Sequence, residues 1–215
     1  NLFMTELAPK VSNPHKVYQY AAVLHHLGIN TLNPNYILGL PPSLDDFASH
    51  FFTEHGIDCN QPILMVNPCS TRINKNWPIK SFVQVLDKLP ANIQIIFCGA
   101  VKDTDTINNI QSSMKHASYS IAGETNLLEL AALFRASDLL LTGDTGPLHI
   151  AIAVGLNTLS LWGPTRPDIY GPLVPDHAFI VSQDSCTACL KAKCRYHTNS
   201  CMKSILPDTV EAKRY

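Results

Sequence analysis

The sequence shows no excess of either charge, no long apolar run and no opening that reads as a targeting signal. Lys and Arg total 16 against 17 Asp and Glu, a formal net charge of −1. A broad basic surface is therefore not expected, and nucleic acid is not read as a partner. Apolar runs stop well short of the ~18 residues that a membrane-crossing helix needs, so no transmembrane segment is read. The N-terminus, NLFMTELAPK, has no charged start leading into a long apolar stretch and is not a signal peptide in form. It also lacks an initiator Met, and the expectation is the cut edge of a longer protein. Internal repeats and low-complexity tracts are missing too, which argues against solenoids and disordered chains.

What the chain does contain is apolar material for one sizeable core. Of its 215 residues 46% are apolar and 15% charged, which fits one large domain, or one domain plus part of another. Residues 16–28, KVYQYAAVLHHLG, space Val17, Tyr20, Ala21, Leu24 and Leu27 along one side of a helix that Gly28 stops. INTLNPNYILGLPPSLDDF, with Pro34, Pro41 and Pro42, reads as a linker. From Ile63 onward strands and helices alternate. Strands are predicted at 63–66, 93–99, 118–121, 138–143, 157–163 and 177–182, and helices at 78–89, 102–114, 126–136 and 147–154. Leu127, Leu130, Ala131 and Phe134 are expected inward, and Asn126 with Glu129 has the form of a capping box. The alternation predicts an α/β fold, a Rossmann-like doubly wound parallel sheet whose ligands bind beyond the carboxyl ends of its strands.

One stretch, LLLTGDTGPLHIAIAVG (139–155), interrupts an apolar strand with small, polar and backbone-constraining residues. Asp144, Thr145 and Gly146 form a loop, Pro147 is expected at the first helical position, and Gly155 ends the helix. A helix start offers free N–H groups and about half a positive charge. Gly146 leaves room for close approach and His149 lies in the first turn, so the stretch reads as an anion site suited to phosphate. Asp144 is out of place beside phosphate and suits neutral hydroxyls, as on a sugar. The competing reading is a tight turn with an N-capping Thr and a surface His. A second loop, NPCSTRINKNWP (67–78), follows the strand at 63–66 and carries hydroxyls on Ser70 and Thr71 and charge on Arg72 and Lys75. Taken alone it reads as a solvated polar loop, but two such loops on one sheet edge would bracket a diphosphate.

Taken together, STRINKNWP (70–78), FCGAVKD (97–103), IAGETNLLELA (121–131), GDTGPLHIAIAVG (143–155) and LWGPTRPDIYGP (161–172) resemble glycosyltransferase family nine, the bacterial lipopolysaccharide heptosyltransferases, over about residues 60–205. The resemblance implies the GT-B fold, two facing Rossmann-like domains. Residues 59–215 would be the nucleotide-sugar-binding domain, with a Cys-rich segment at 186–201. Residues 1–58 would be a remnant of the N-terminal acceptor domain and its linker. The implied reaction is inverting transfer from ADP-heptose to a lipopolysaccharide core sugar, with no cofactor needed for transfer. The implied location is cytoplasmic, with peripheral attachment at the inner membrane face as a further option. By resemblance Ser70, Thr71 and Lys75 contact the diphosphate, and Thr145, Gly146 and His149 complete that pocket. Asp144 would hold sugar hydroxyls, Asp103 would reach the ribose, and Gly123–Thr125 would lie against adenine. The family's carboxylate general base comes from its N-terminal domain, and no segment here matches it. The chain is therefore expected to bind donor and transfer little.

Other features invite chemistry. CTACLKAKCRYHTNSC spaces Cys186, Cys189, Cys194 and Cys201 as C-x2-C-x4-C-x6-C. That density points to a structural zinc or iron knuckle, with free thiols or disulfides as alternatives and His197 as a substitute ligand. Cys59, Cys69 and Cys98 are isolated and read as buried free thiols. Asp103-Thr104-Asp105 has the D-x-D form of a metal signature from a different glycosyltransferase fold, but reads here as two acids complementing a helix start. Trp77 reads as a packing residue and Trp162 as packing or sugar stacking. Lys191, Lys193 and Arg195 read as a solvated loop rather than an anionic-lipid contact, and His25–His26 is given no role. Competing functions are heptosyl transfer to a secreted adhesin, non-catalytic nucleotide-sugar binding, and a GT-B nucleotide-sugar epimerase.

Overall fold

The computed structural model describes residues 10–29, 36–175 and 177–213. Residues 1–9 of the expected N-terminal remnant and 30–35 of the linker lie outside the described residues. Strands β1 (Ile63–Asn67), β2 (Gln94–Phe97), β3 (Ser118–Ser120), β4 (Leu139–Gly143), β5 (Thr158–Trp162) and β6 (His177–Val181) form one all-parallel sheet in the order β3-β2-β1-β4-β5-β6. The α-helices are α1 (Lys16–His26), α2 (Phe47–Glu54), α3 (Ile79–Leu86), α4 (Thr104–Gln111), α5 (Leu127–Arg135), α6 (Gly146–Ala153), α7 (Pro167–Tyr170), α8 (Ser200–Lys203) and α9 (Pro207–Glu211).

Alternate strand residues serve opposite layers, as the period of an extended chain requires. Leu64 and Val66 of β1 join Ile95 and Phe97 of β2 on one side, against Phe82 and Leu86 of α3 and Ile107 and Ile110 of α4. Ile63 and Met65, with Ile96 and Leu140, face the other side, against Phe52 of α2, Leu133 and Phe134 of α5 and Ala151 of α6. In register, Met65 lies beside Ile96 on one neighbouring strand and Leu140 on the other.

Each predicted strand forms within two residues of its expected ends. The capping box forms as well: Asn126 Oδ1 accepts the N–H groups of Leu128 and Glu129 at 2.9 and 3.0 Å, and Glu129 accepts that of Asn126 at 2.8 Å. Other details differ. The sequence reading has no element between residue 47 and Ile63, yet α2 packs Ala48 and Phe52 into the core. Helices α7, α8 and α9 were not expected either. Leu127 is 69% exposed, and Leu133 packs inward instead. Pro147 is the second residue of α6 and Gly146 the first. Cys59 is exposed, whereas burial pushes the Cys69 and Cys98 thiols up to about 11 and about 12.

Both tryptophans are packing residues. Trp77 stands edge-on to Phe82, with centroids 5.0 Å apart, and donates to the Ile205 carbonyl at 2.9 Å. Trp162 is fully buried and donates to Ser160 Oγ at 2.8 Å, which removes it as a sugar platform. Helix α1 forms where predicted and ends at Gly28 with φ of +81°, but none of its residues is buried, and Tyr20, Val23, Leu24 and Leu27 are exposed. Its start is fixed by buried His15. There Nδ1 accepts the Val17 N–H at 3.3 Å, which leaves Nε2 to donate to the Gly171 carbonyl at 2.9 Å. Among the described residues no helix is long and apolar enough to cross a membrane.

Candidate functional site

The strand order reverses between β1 and β4, so the loops leaving their carboxyl ends part and open a crevice. A cleft of about 620 Å³ occupies it, and Ser70, Thr71, Lys75, Asp103, Thr125, Asp144, Thr145, Gly146 and His149 all line it. The two loops singled out in the sequence thus share one cavity.

At the β4 side, Thr145 is the N-cap of α6 but its hydroxyl does not cap the helix. That hydroxyl is turned away, 3.1 Å from the Thr142 hydroxyl, and donates to Asn67 Oδ1 at 3.3 Å. Asn67 is buried and anchored through Nδ2 to the Cys98 carbonyl at 3.1 Å. The N–H groups of Gly146 and Leu148 are therefore left without a capping side chain, and Pro147 has no N–H to satisfy. A Cβ added to Gly146 would meet nothing within 4 Å, so this backbone is open to approach.

The acid beside the anion site has a partner. Lys75 Nζ donates to Asp144 Oδ2 at 2.6 Å and to the Asp144 carbonyl at 3.0 Å, with the two side chains only 13% and 10% exposed. The lysine offsets the carboxylate's repulsion of an anion and is itself held in place. Burial pushes His149 below its ordinary value of 6.5, with Asp144 opposing and Lys75 and His15 adding to the shift. The ring is accordingly neutral at pH 7 and keeps one N–H to donate.

The β1 loop is braced from within. Asn76 Oδ1 accepts the Ser70 N–H at 2.9 Å, and Ser70 Oγ accepts the Arg72 N–H at 3.2 Å. At the β2 end Asp103 uses one carboxylate oxygen to accept the Ala100 N–H at 2.9 Å. Asp105 is exposed on α4 and does not line the cleft, so the D-x-D acids are not brought together there. Gly123 is not part of the lining either. Its φ is +81° and an added Cβ would lie 2.5 Å from Val101 Cγ2, so it serves the turn, while Thr125, Leu127 and Leu130 after it do line the cleft. Sequence reasoning missed Asn67, Thr165, Tyr170 and Leu190 in the lining. Asn67 carried a signal as the polar residue that ends the apolar run ILMVN, and Thr165 and Tyr170 lie in the quoted segment LWGPTRPDIYGP, whereas Leu190 carried none.

A second cavity of about 440 Å³ is lined by Cys186, Cys189, Cys194 and Cys201. All four are free thiols, so the disulfide alternative is not taken. Among the described residues no three His, Cys, Asp or Glu side chains are grouped so as to hold an ion. Backbone N–H groups of Asn199 and Tyr196 lower the Cys194 thiol, whereas burial raises that of Cys201. The segment is strained. Among the described residues the non-glycine residues with positive φ are Ala188 (52°), Leu190 (57°), His197 (54°) and Asn199 (48°), and all lie between Cys186 and Cys201. Each costs roughly 1 kcal/mol.

The chain is 30% identical over 169 residues to the lipopolysaccharide core heptosyltransferase OpsX of Haemophilus influenzae, an alignment that takes in 77% of this chain and 47% of the relative. The chain thus spans about half the length of that curated relative. Its fold superposes on the glycosyl transferase family 9 structure from Veillonella parvula with a TM-score of 0.84 at 24% identity, over 97% of this chain and 61% of the other. It superposes on E. coli heptosyltransferase WaaC with ADP with a TM-score of 0.67 at 16% identity, over 98% and 59%. Both likenesses show that the sheet and its helices follow the fold of those structures. A sequence profile runs through both loops of the cleft and matches residues 2–199, by which the chain belongs to glycosyltransferase family 9, the heptosyltransferases.

Proposed function

We propose that this chain is the donor-binding part of a lipopolysaccharide heptosyltransferase, and that its cleft holds the diphosphate of ADP-heptose. The observation that carries the reading is the uncapped start of α6 facing the Ser70–Lys75 loop across one cavity. In this reading Ser70, Thr71 and Lys75 grip the diphosphate from one side, and the Gly146 amide, Thr145 and His149 from the other. Asp144, held by Lys75, faces sugar hydroxyls, Asp103 the ribose, and Thr125 with Leu127 and Leu130 the base. Negative charge grows on the departing nucleoside diphosphate as the glycosidic bond breaks. The fixed amides, the lysine and the neutral imidazole stabilise that charge without reorganising. The acceptor hydroxyl must lose its proton to a carboxylate, which this reading puts on an acceptor domain; residues 1–58 are read as the remnant and linker of that domain, the linker's α2 being packed onto the donor sheet. The lipopolysaccharide core acceptor would then meet the sugar between the two halves. The names of the Haemophilus relative and of the ADP-bound E. coli structure support this assignment. Calorimetric titration of the chain with ADP, UDP and GDP tests it. ADP is expected to bind tightest; weakest binding by ADP overturns the donor assignment, and robust sugar transfer by the 215 residues alone overturns the missing base.

The Cys-rich segment is read as a structural zinc or iron site held by Cys186, Cys189, Cys194 and Cys201. Thiolate donors suit both metals. The N–H groups aimed at Cys194 favour its charged form, and the clustered strain suits a segment that a bound ion secures. The thiols are not grouped at ligand spacing, so an ion would have to gather them. Such an ion would supply structure and no step of the transfer. Elemental analysis of unheated protein checks the assignment, with less than a tenth of an ion per chain counting against it.

A further inference from the structure

The Cys-rich segment is fastened to the donor cleft by specific bonds. Ala188 and Leu190 donate their N–H groups to the carbonyls of Gly163 and Pro164 at 2.9 and 2.7 Å, and Thr187 Oγ1 donates to Gly163 at 2.8 Å. These bonds fix the segment to the loop after β5 and set Leu190 in the wall of the donor cleft. A further bond reaches the opposite wall. Asn74 sits in the turn Ile73–Lys75, next to Lys75, and its Nδ2 donates to the Lys191 carbonyl at 3.0 Å across 117 residues of chain. Asn74 is 2% exposed, lines the cysteine cavity, and its Oδ1 is buried with no hydrogen-bond partner. An unpaired buried amide oxygen costs about 1–3 kcal/mol. Packing alone would be served better by an apolar residue, so the amide is retained for the bond it makes.

We propose that Asn74 is a positioning residue that couples the Cys-rich segment to the diphosphate loop, so that the packing of that segment around its four thiols sets the grip of Ser70, Thr71 and Lys75. This rests on the reading of the cleft as a donor site. With Asn74 tied to Lys191, the turn carrying Lys75 is fixed relative to the Cys-rich segment as well as to Asp144. With the tie cut, the loop keeps its internal brace through Asn76 and the Lys75–Asp144 bonds but loses its reference to the Cys-rich segment. The effect falls on the β-phosphate, which the loop would hold, and spares the nucleoside, which lies at the other end of the cleft.

The test is calorimetric titration of wild type, Asn74→Ala, Cys194→Ser and the double variant with ADP and with AMP. Asn74→Ala is expected to weaken ADP about tenfold while AMP stays within about twofold. Cys194→Ser is expected to weaken ADP in the same direction, and the double variant to be no weaker than the weaker single, as for two cuts in one linkage. Equal losses for ADP and AMP would mark Asn74 as merely structural, and unchanged ADP affinity or additive losses would overturn the coupling while leaving the donor site intact. A wild-type chain that binds no ADP removes the donor reading itself and the coupling with it.

Discussion

A methyl group added at residue 146 meets no atom within 4 Å, so Gly146→Ala disturbs no packing. It narrows the unfolded chain's freedom and is expected to add about 0.5 kcal/mol of stability. The same methyl lies where a phosphate must approach the backbone, and ADP affinity is expected to fall about tenfold. Melting curves and calorimetry on this single variant read the two opposite changes. His149 makes a second prediction. Burial favours its neutral ring, so below pH 6.5 the unfolded chain takes up a proton before the folded one does. Its contribution to stability is thus present above pH 6.5 and lost as pH falls below that value. A bound diphosphate reverses the preference, so ADP binding near pH 6 should take up a proton, and His149→Gln should abolish the uptake. Calorimetry in two buffers of different ionisation heat measures this. The β1 and β4 loops of the cleft were legible because each is a local run of small and polar residues at the end of a strand, while Asp103 and Thr125 came from the family resemblance and Leu190 from neither. The ion pair of Lys75 with Asp144 was not, because it joins residues 69 apart in the chain and only the sheet brings them together.

Among the elements, α2 is the test of what belongs to the sheet's own core. Phe52 on it is fully buried against the β1 side of the sheet. Phe52→Ala should destabilise the chain by about 3–4 kcal/mol, read from denaturant unfolding. A loss under 1 kcal/mol would show that α2 is dispensable. The strands were easy to read because β1 and β4 are nearly continuous apolar runs closed by polar or small residues, the pattern of a sheet covered on both faces. Helix α5 announced itself through its capping box. By contrast α2, FASHFFTE, is eight residues long and mixes polar and apolar types, so its identity depends on the α5 surface it meets. Helices α7, α8 and α9 span four or five residues each, too short for a helical period to show.

Across the molecule, one sheet carries a cleft at its switch point, a cysteine cavity beside the cleft wall, and an exposed helix at the N-terminal side. Tyr20, Val23 and Leu24 of α1, and Leu27 that follows it, leave an apolar face exposed. The uncapped start of α6 has a further consequence, for handling the protein rather than for catalysis. Amides that no side chain satisfies reward any small oxyanion that reaches them, so heat resistance should track the buffer's anions. Sulfate or phosphate at a hundred times its dissociation constant would add about 2.7 kcal/mol, and replacing chloride with either should raise the melting temperature by several degrees. The Gly146→Ala chain, binding the anion about tenfold more weakly, should gain only about 1.4 kcal/mol under the same conditions.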